Sequence, residues 1–176
     1  MKQIKKMTQM ELAAFVHSHL RKLGVDVVLS GGASVSLYSG NKYVSKDLDL
    51  INIRLVKRQK IKSAMEGLDF LERGRHFVHP DSEFIVEFPD GPLSVGEEPV
   101  KKIDEIKLPT GNLRVISPTD CVKDRLAAFY FWGDRQCLTQ AVMVTVDNRI
   151  DLKELERWSK AEGKLREFQT FKEMLK

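Results

Sequence analysis

The sequence predicts a mixed α+β (α/β) fold, with a β-sheet core flanked by helices over residues 1–117 and a helical C-terminal segment packed on it over 118–176. Three observations predict this. The first two-thirds of the chain alternates short apolar runs with Gly, Pro and Asn punctuation, the pattern of strands and brief helices. After Ser117-Pro118 the period changes, and four successive segments carry helical spacing. Between them lies one strand–turn–helix–strand order, SGGASVSLYSGNKYVSKDLDL over residues 30–50, whose glycines and aspartates need an explanation beyond packing.

The elements follow in order. Thr8-Gln-Met-Glu11 is a capping box that opens a helix through about Lys22, with Leu12, Phe15, Val16 and Leu20 on one stripe and Gly24 as the stop. Val25 to Leu29 reads as a short strand running into Gly31-Gly32, and Ala33 to Tyr38 as a brief helix. Asp47 to Ile53 alternates, so Asp47, Asp49, Ile51 and Ile53 share one face while Leu48, Leu50 and Asn52 share the other. A basic helix spans about Val56 to Glu66. Strands are expected near Phe70 to Val78 and over Glu83 to Phe88. Lys102 to Lys107 and Asn112 to Ile116 form a hairpin across Pro109-Thr-Gly111. Helices over Asp120–Phe131, Asp134–Val144, Leu152–Ala161 and Leu165–Leu175 complete the chain, the third capped by Asp151 and the fourth following Gly163.

Composition sets the class. The chain of 176 residues is 42% hydrophobic and 31% charged, with 29 Lys and Arg against 25 Asp and Glu, so a mild net charge of +4 permits a nucleotide or nucleic-acid partner without requiring one. Two cysteines with no C-x-x-C spacing fit a reduced, cytoplasmic protein. The basic start MKQIKKMTQMELAAF is not followed by a long apolar stretch, and no run approaches the roughly 18 apolar residues of a membrane span.

The chemistry concentrates in residues 30–50. Asp47 and Asp49, two apart on a strand, point the same way, and bare carboxylates that close repel unless a cation lies between them. Mg²⁺ suits such a pair, because it prefers hard oxygen ligands and leaves positions for substrate phosphates. Fourteen residues separate Asp47 from Gly32, in a strand-to-helix turn where the backbone can approach a phosphate and the helix directs free amides at it. Ser34 adds a hydroxyl. A third carboxylate would complete a site for in-line nucleotidyl transfer. Glu87 is the candidate, a charge in mid-strand between Val86 and Phe88, whereas flanking prolines place its rivals Asp81 and Asp90 in loops.

Other residues carry less. His76 and His79 would face opposite sides of a strand and are no zinc pair, His17 and His19 read as surface residues, and Cys121 and Cys137 as buried structural thiols. The run Lys57, Arg58, Lys60 and Lys62 is either a solvated helix face or a guide for a phosphate-rich substrate. Phe129, Tyr130, Phe131 and Trp132 cannot share a helix face, so some pack inside while others line a cleft or a partner surface.

Gly31-Gly32 followed by Asp47-Leu48-Asp49 resembles the signature of the DNA polymerase beta-like nucleotidyltransferase superfamily. Asp120 to Ala128 and Asp134 to Ala141 are similar to the helices that follow the core in its abortive-infection type branch, which includes toxins of toxin–antitoxin pairs. The resemblance implies a Mg²⁺-dependent nucleotidyltransferase. Asp47, Asp49 and Glu87 would be metal ligands, Gly31, Gly32 and Ser34 contacts to a nucleoside triphosphate, and Arg125, after Asp124, a further triphosphate contact. The acceptor would be RNA (a transfer RNA end in toxin-like relatives), a protein or a small molecule, and the partner a cognate antitoxin, with no membrane involved. The other reading is a catalytically degenerate binding module on the same fold. Glu87 stands where Asp is common in that family, and Arg125 where many relatives carry Lys.

Overall fold

The computed structural model describes residues 2–176. A 3-10 turn at Ile4–Lys6 precedes α1 (Gln9–Lys22), which Thr8 and Glu11 cap reciprocally. Then come β1 (Val27–Ser30), α2 (Gly31–Tyr38), β2 (Asp47–Asn52), α3 (Arg58–Glu66), β3 (Leu71–Arg73), β4 (His76–Val78) and β5 (Ile85–Glu87). A two-strand ribbon, β6 (Ser94–Val95) and β7 (Glu98–Pro99), leads to the hairpin β8 (Ile103–Leu108) and β9 (Gly111–Ile116). Four helices follow: α4 (Pro118–Trp132), α5 (Arg135–Asp147), α6 (Leu152–Ala161) and α7 (Leu165–Glu173).

Seven strands form one sheet in the order β3-β4-β5-β2-β1-β9-β8. It is mixed: β2 runs parallel to β5 and β1 parallel to β9, while the β1–β2, β4–β5, β3–β4 and β8–β9 pairs are antiparallel. Strand alternation divides the apolar side chains between two layers. Leu29, Leu48, Leu50, Val86, Leu113 and Val115 turn toward α1 and α3, where Leu12, Val16, Leu20 and Met65 meet them. Val28 and Ile116 turn the other way and join Val35 of α2 with Val122, Leu126, Leu155 and Trp158 of the C-terminal helices. At about 1.5–3 kcal/mol for each large apolar side chain buried, the two layers supply most of the driving force for folding.

Local departures from the sequence reading have physical causes. The segment from Phe70 to Val78 is a hairpin, because Gly74 turns the chain at φ +62° between β3 and β4. The β6–β7 ribbon carries too few residues to show periodicity. His17 and His19 are not surface residues: α1 lies between β9 and α3, so His17 Nδ1 sits 2.8 Å from the Asn112 carbonyl and His19 Nε2 sits 3.0 Å from that of Ala64. Among the four consecutive aromatics, Tyr130 packs inside, while Phe131 and Trp132 are exposed.

The C-terminal helices are pinned by polar groups as well. Ser117, Asp134 and Asp151 cap α4, α5 and α6 with their side chains. Lys123, almost fully buried on α4, reaches Glu154 of α6 at 2.7 Å. Trp158 stacks on Tyr130 with ring centroids 5.6 Å apart, and its indole N–H points at the Val95 carbonyl at 3.4 Å. Among the described residues no helix is long and apolar enough to cross a membrane. Trp158→Ala should cost about 3–5 kcal/mol. Denaturant unfolding followed by circular dichroism should show the whole transition, sheet signal included, moving to lower denaturant as one step.

Candidate active site

The site forms where β1, β2 and β5 lie side by side. The parallel register of β2 and β5 sets Asp49 opposite Glu87, and the antiparallel register of β1 and β2 sets Asp49 opposite Ser30. Val86 and Leu48 point into the α1–α3 layer, so Asp47, Asp49 and Glu87 emerge together on the other face. Neighbouring strands are about 4.8 Å apart, which makes Asp49 and Glu87 the closest cross-strand pair of the three.

The Gly31-Gly32 bend borders this face. Gly31 adopts φ +63°, and a Cβ built there would fall 2.0 Å from Asp49 Oδ2 and 2.9 Å from its Cγ. The Asp49 carboxylate therefore occupies the volume that any other residue at 31 would fill. Gly32 is nearly as confined, since a Cβ there would meet the Ser45 hydroxyl at 3.0 Å and the Tyr43 hydroxyl at 3.4 Å. The loop that brings those groups over is itself tied down. The Ser45 amide donates to Ser36 Oγ at 3.0 Å, and the Ser45 carbonyl accepts from Gln9 Nε2. Ser30 stands at the N-cap of α2, and its side chain makes no capping bond, which leaves the first amides of the helix without a side-chain acceptor.

The electrostatics reflect the crowding of acids. Burial first, then the carboxylates of Glu87, Asp124 and Asp47, push the Asp49 carboxyl up from 3.8 to about 6, with Arg125 offsetting part of the rise. Asp124 is the contributor that sequence reading left unassigned. It projects from α4 into a cavity of about 240 Å³ that it shares with Ser30, Ile51, Ser94 and Ile116. Its position directly before Arg125 in a capped helix was the available signal.

Two of the expected contacts are placed differently. Ser34 is fully buried, and its hydroxyl donates to the Gly31 carbonyl at 2.7 Å and touches Cys121 Sγ at 3.2 Å. It braces the bend from inside, packed against α4, and presents no hydroxyl to the cleft. Arg125 is largely buried too. Its Nε and Nη2 donate to Asp124, and Nη1 lies 3.4 Å from Gln140 Oε1 and 3.6 Å from Cys137 Sγ. Burial opposes its charge, but the Asp124 carboxylate more than offsets this and raises the guanidinium above its ordinary pKa. In this arrangement Arg125 orients Asp124 and ties α4 to α5.

Glu87 has a partner of its own. His76, its cross-strand neighbour on β4, places Nδ1 against Glu87 Oε1. Among the described residues, no three His, Cys, Asp or Glu side chains are gathered closely enough to hold an ion as they stand. The donor chemistry still fits Mg²⁺: hard carboxylate oxygens share one face, and the carboxylates that add to the effect of burial at Asp49 make a negative field that a divalent cation relieves. His79 lies elsewhere, its ring tilted against Phe70 and its Nδ1 accepting from the Asp81 amide.

The mixed sheet bears its paired acids beside a glycine bend, and its fold is similar to that of a solved nucleotidyltransferase-like protein. An antigenic nucleotidyltransferase-like protein from Paracoccidioides brasiliensis superposes with a TM-score of 0.53 at 13% identity, covering 90% of this chain and 92% of that one. The antibiotic-resistance factor ANT(2'')-Ia aligns with a TM-score of 0.44 at 12% identity over 85% of this chain and 92% of its own. No family model and no curated protein sequence matches the chain.

Two outcomes follow from this geometry. Gly31→Ala should destabilise the protein by about 1–3 kcal/mol, read as a lower Tm, because the new methyl must displace Asp49 and the backbone must hold a left-handed residue. Asp49 titrates near 3.8 when unfolded and near 6 when folded, so the native state binds the extra proton between those values. Stability from this group therefore falls as pH rises through that window, and the penalty is fully present above 6. Asp49→Asn should raise the Tm of the ligand-free protein at pH 7.5, by on the order of 1 kcal/mol after solvent screening, with a smaller gain at pH 4.5.

Proposed function

We propose that this protein is a Mg²⁺-dependent nucleotidyltransferase that moves a nucleotide from a nucleoside triphosphate to an RNA, protein or small-molecule acceptor. The observation that carries this reading is the placement of Asp47, Asp49 and Glu87 on one sheet face, against the Gly31-Gly32 bend. Asp47 and Asp49 would hold Mg²⁺ with Glu87, and the ion would offset the charge of the phosphate oxygens. The uncapped amides at the start of α2 would receive the triphosphate. The acceptor oxygen bonds to the α-phosphorus while the bond from that phosphorus to the bridging oxygen breaks. Pyrophosphate leaves with the electron pair, and the acceptor proton passes to the Glu87 carboxylate and on to water. The likeness of Asp120–Ala128 and Asp134–Ala141 to abortive-infection type enzymes supports a place in a toxin–antitoxin pair, with a cognate antitoxin as partner.

One observation favours a second reading, a binding module without turnover: the Glu87 carboxylate is already engaged by His76. The two part on experiment. With Mg²⁺ and a panel of triphosphates, the enzyme should show a raised Tm and, with acceptor present, pyrophosphate release. Asp49→Asn should cut that release by about 10²-fold or more without lowering the Tm. Stabilisation without release by any triphosphate and acceptor would select the binding module. No shift and no release would sink both.

A further inference from the structure

One row of side chains crosses the candidate site from strand to strand. The registers set His76 of β4 opposite Glu87 of β5, Glu87 opposite Asp49 of β2, and Asp49 opposite Ser30 of β1. Phe77 and Val86, the next pair along, turn into the layer under α1 and α3, so the row lies on the other face, with the acids. Glu87 therefore has two neighbours to lean toward, Asp49 and His76, each about 4.8 Å away by strand spacing. Its carboxylate takes the His76 side. Glu87 Oε1 lies against His76 Nδ1, a nitrogen closed off from solvent that has no other hydrogen-bond partner among the described residues. The preference has a cause on both sides. Asp49 repels Glu87 as a like charge, whereas an imidazole N–H donates to a carboxylate.

With Glu87 turned to β4, the three acids share a face without converging closely enough to hold an ion. Resting on the nucleotidyl-transfer reading, we infer that His76 is a positioning residue, a latch that Glu87 must leave to join Asp47 and Asp49 around a divalent cation. The backbone of β5 stays where its ladder fixes it. Glu87 and His76 keep 22% and 39% of their side-chain surface exposed, which leaves room for Glu87 to change rotamer and swing from one neighbour to the other. Positive charge between the strands reverses the sign of the balance, because the side that repelled the carboxylate then attracts it. The latch lowers the apparent affinity for the cation, since the unlatched rotamer, which is the competent one, is only a fraction of the population.

The test measures Mn²⁺ affinity, by electron paramagnetic resonance of the free ion at a fixed pH, with no triphosphate and no turnover. His76→Phe and His76→Ala both remove the donor, one keeping a ring and one not, so a packing fault in either variant is exposed by the other. His76→Asn keeps an N–H close to the place of Nδ1. Mn²⁺ binding tightened about three- to tenfold by Phe and by Ala, and near wild type with Asn, is the expected result. In a Glu87→Gln background the same substitutions should change nothing, since the latch then has no carboxylate to hold. A histidine that merely props the sheet would weaken binding when removed, or leave it alone. Either of those outcomes, with Mn²⁺ affinity still lost in Asp49→Asn, overturns the latch and leaves the nucleotidyl-transfer reading standing. Absence of Mn²⁺ binding in wild type, His76→Phe and His76→Ala alike, or binding that ignores Asp49→Asn, refutes the cation site and the latch together.

Discussion

The parallel pairing that sets Asp49 against Glu87 is the constraint on which the rest of the molecule turns. It places two negative groups on adjacent strands in a half-buried setting, an arrangement that folding energy alone disfavours. Much of the surrounding architecture accommodates it. Gly31 gives up its side chain to make room for one carboxylate, and the Tyr43–Ser45 loop closes over Gly32. His76 supports Glu87 from the neighbouring strand. The acids persist because the sheet fixes the backbone beneath them, not because they attract one another.

The helical segment contributes more than cover. Through Val122, Leu126 and Trp158 it buries the sheet face that carries Val28 and Ile116, and through Asp124 it delivers a fourth carboxylate to the edge of the same acidic field. Arg125 hydrogen-bonds to that field at Asp124, and its charge also offsets part of the rise at Asp49. Its tie to Gln140 joins α4 to α5, so the position of Asp124 depends on how the helices pack, and the electrostatics at Asp49 depend on Asp124 in turn. Site and scaffold are coupled by that chain of contacts.

Much of this was legible in the residues. The alternation at Asp47–Ile53 and the Glu83–Phe88 run announced which side chains share a face, because a period of two leaves only two choices. The capping box at Thr8 and the Asp at 151 marked helix starts directly. Burial against a partner element was not legible. Ser34 in a small-residue helix gives no sign that α4 will cover it, and His17 on α1 looks polar until β9 is laid beside it. Arg125 was visible as a cation near an acid, but not as one directed toward α5, since a guanidinium's choice of partner depends on tertiary distance. Asp124 was missed for the same reason.

The β1–β9 pairing, which joins Leu29 to Val115, carries a consequence for how the chain is made. A ribosome will have released the whole glycine-bend region long before the strand that flanks β1 emerges. Until then β1 presents an unpaired edge, and closing a loop of that span is entropically slow. Newly synthesised chains should therefore pass through a vulnerable interval in which chaperones, proteases or another copy compete for that exposed strand.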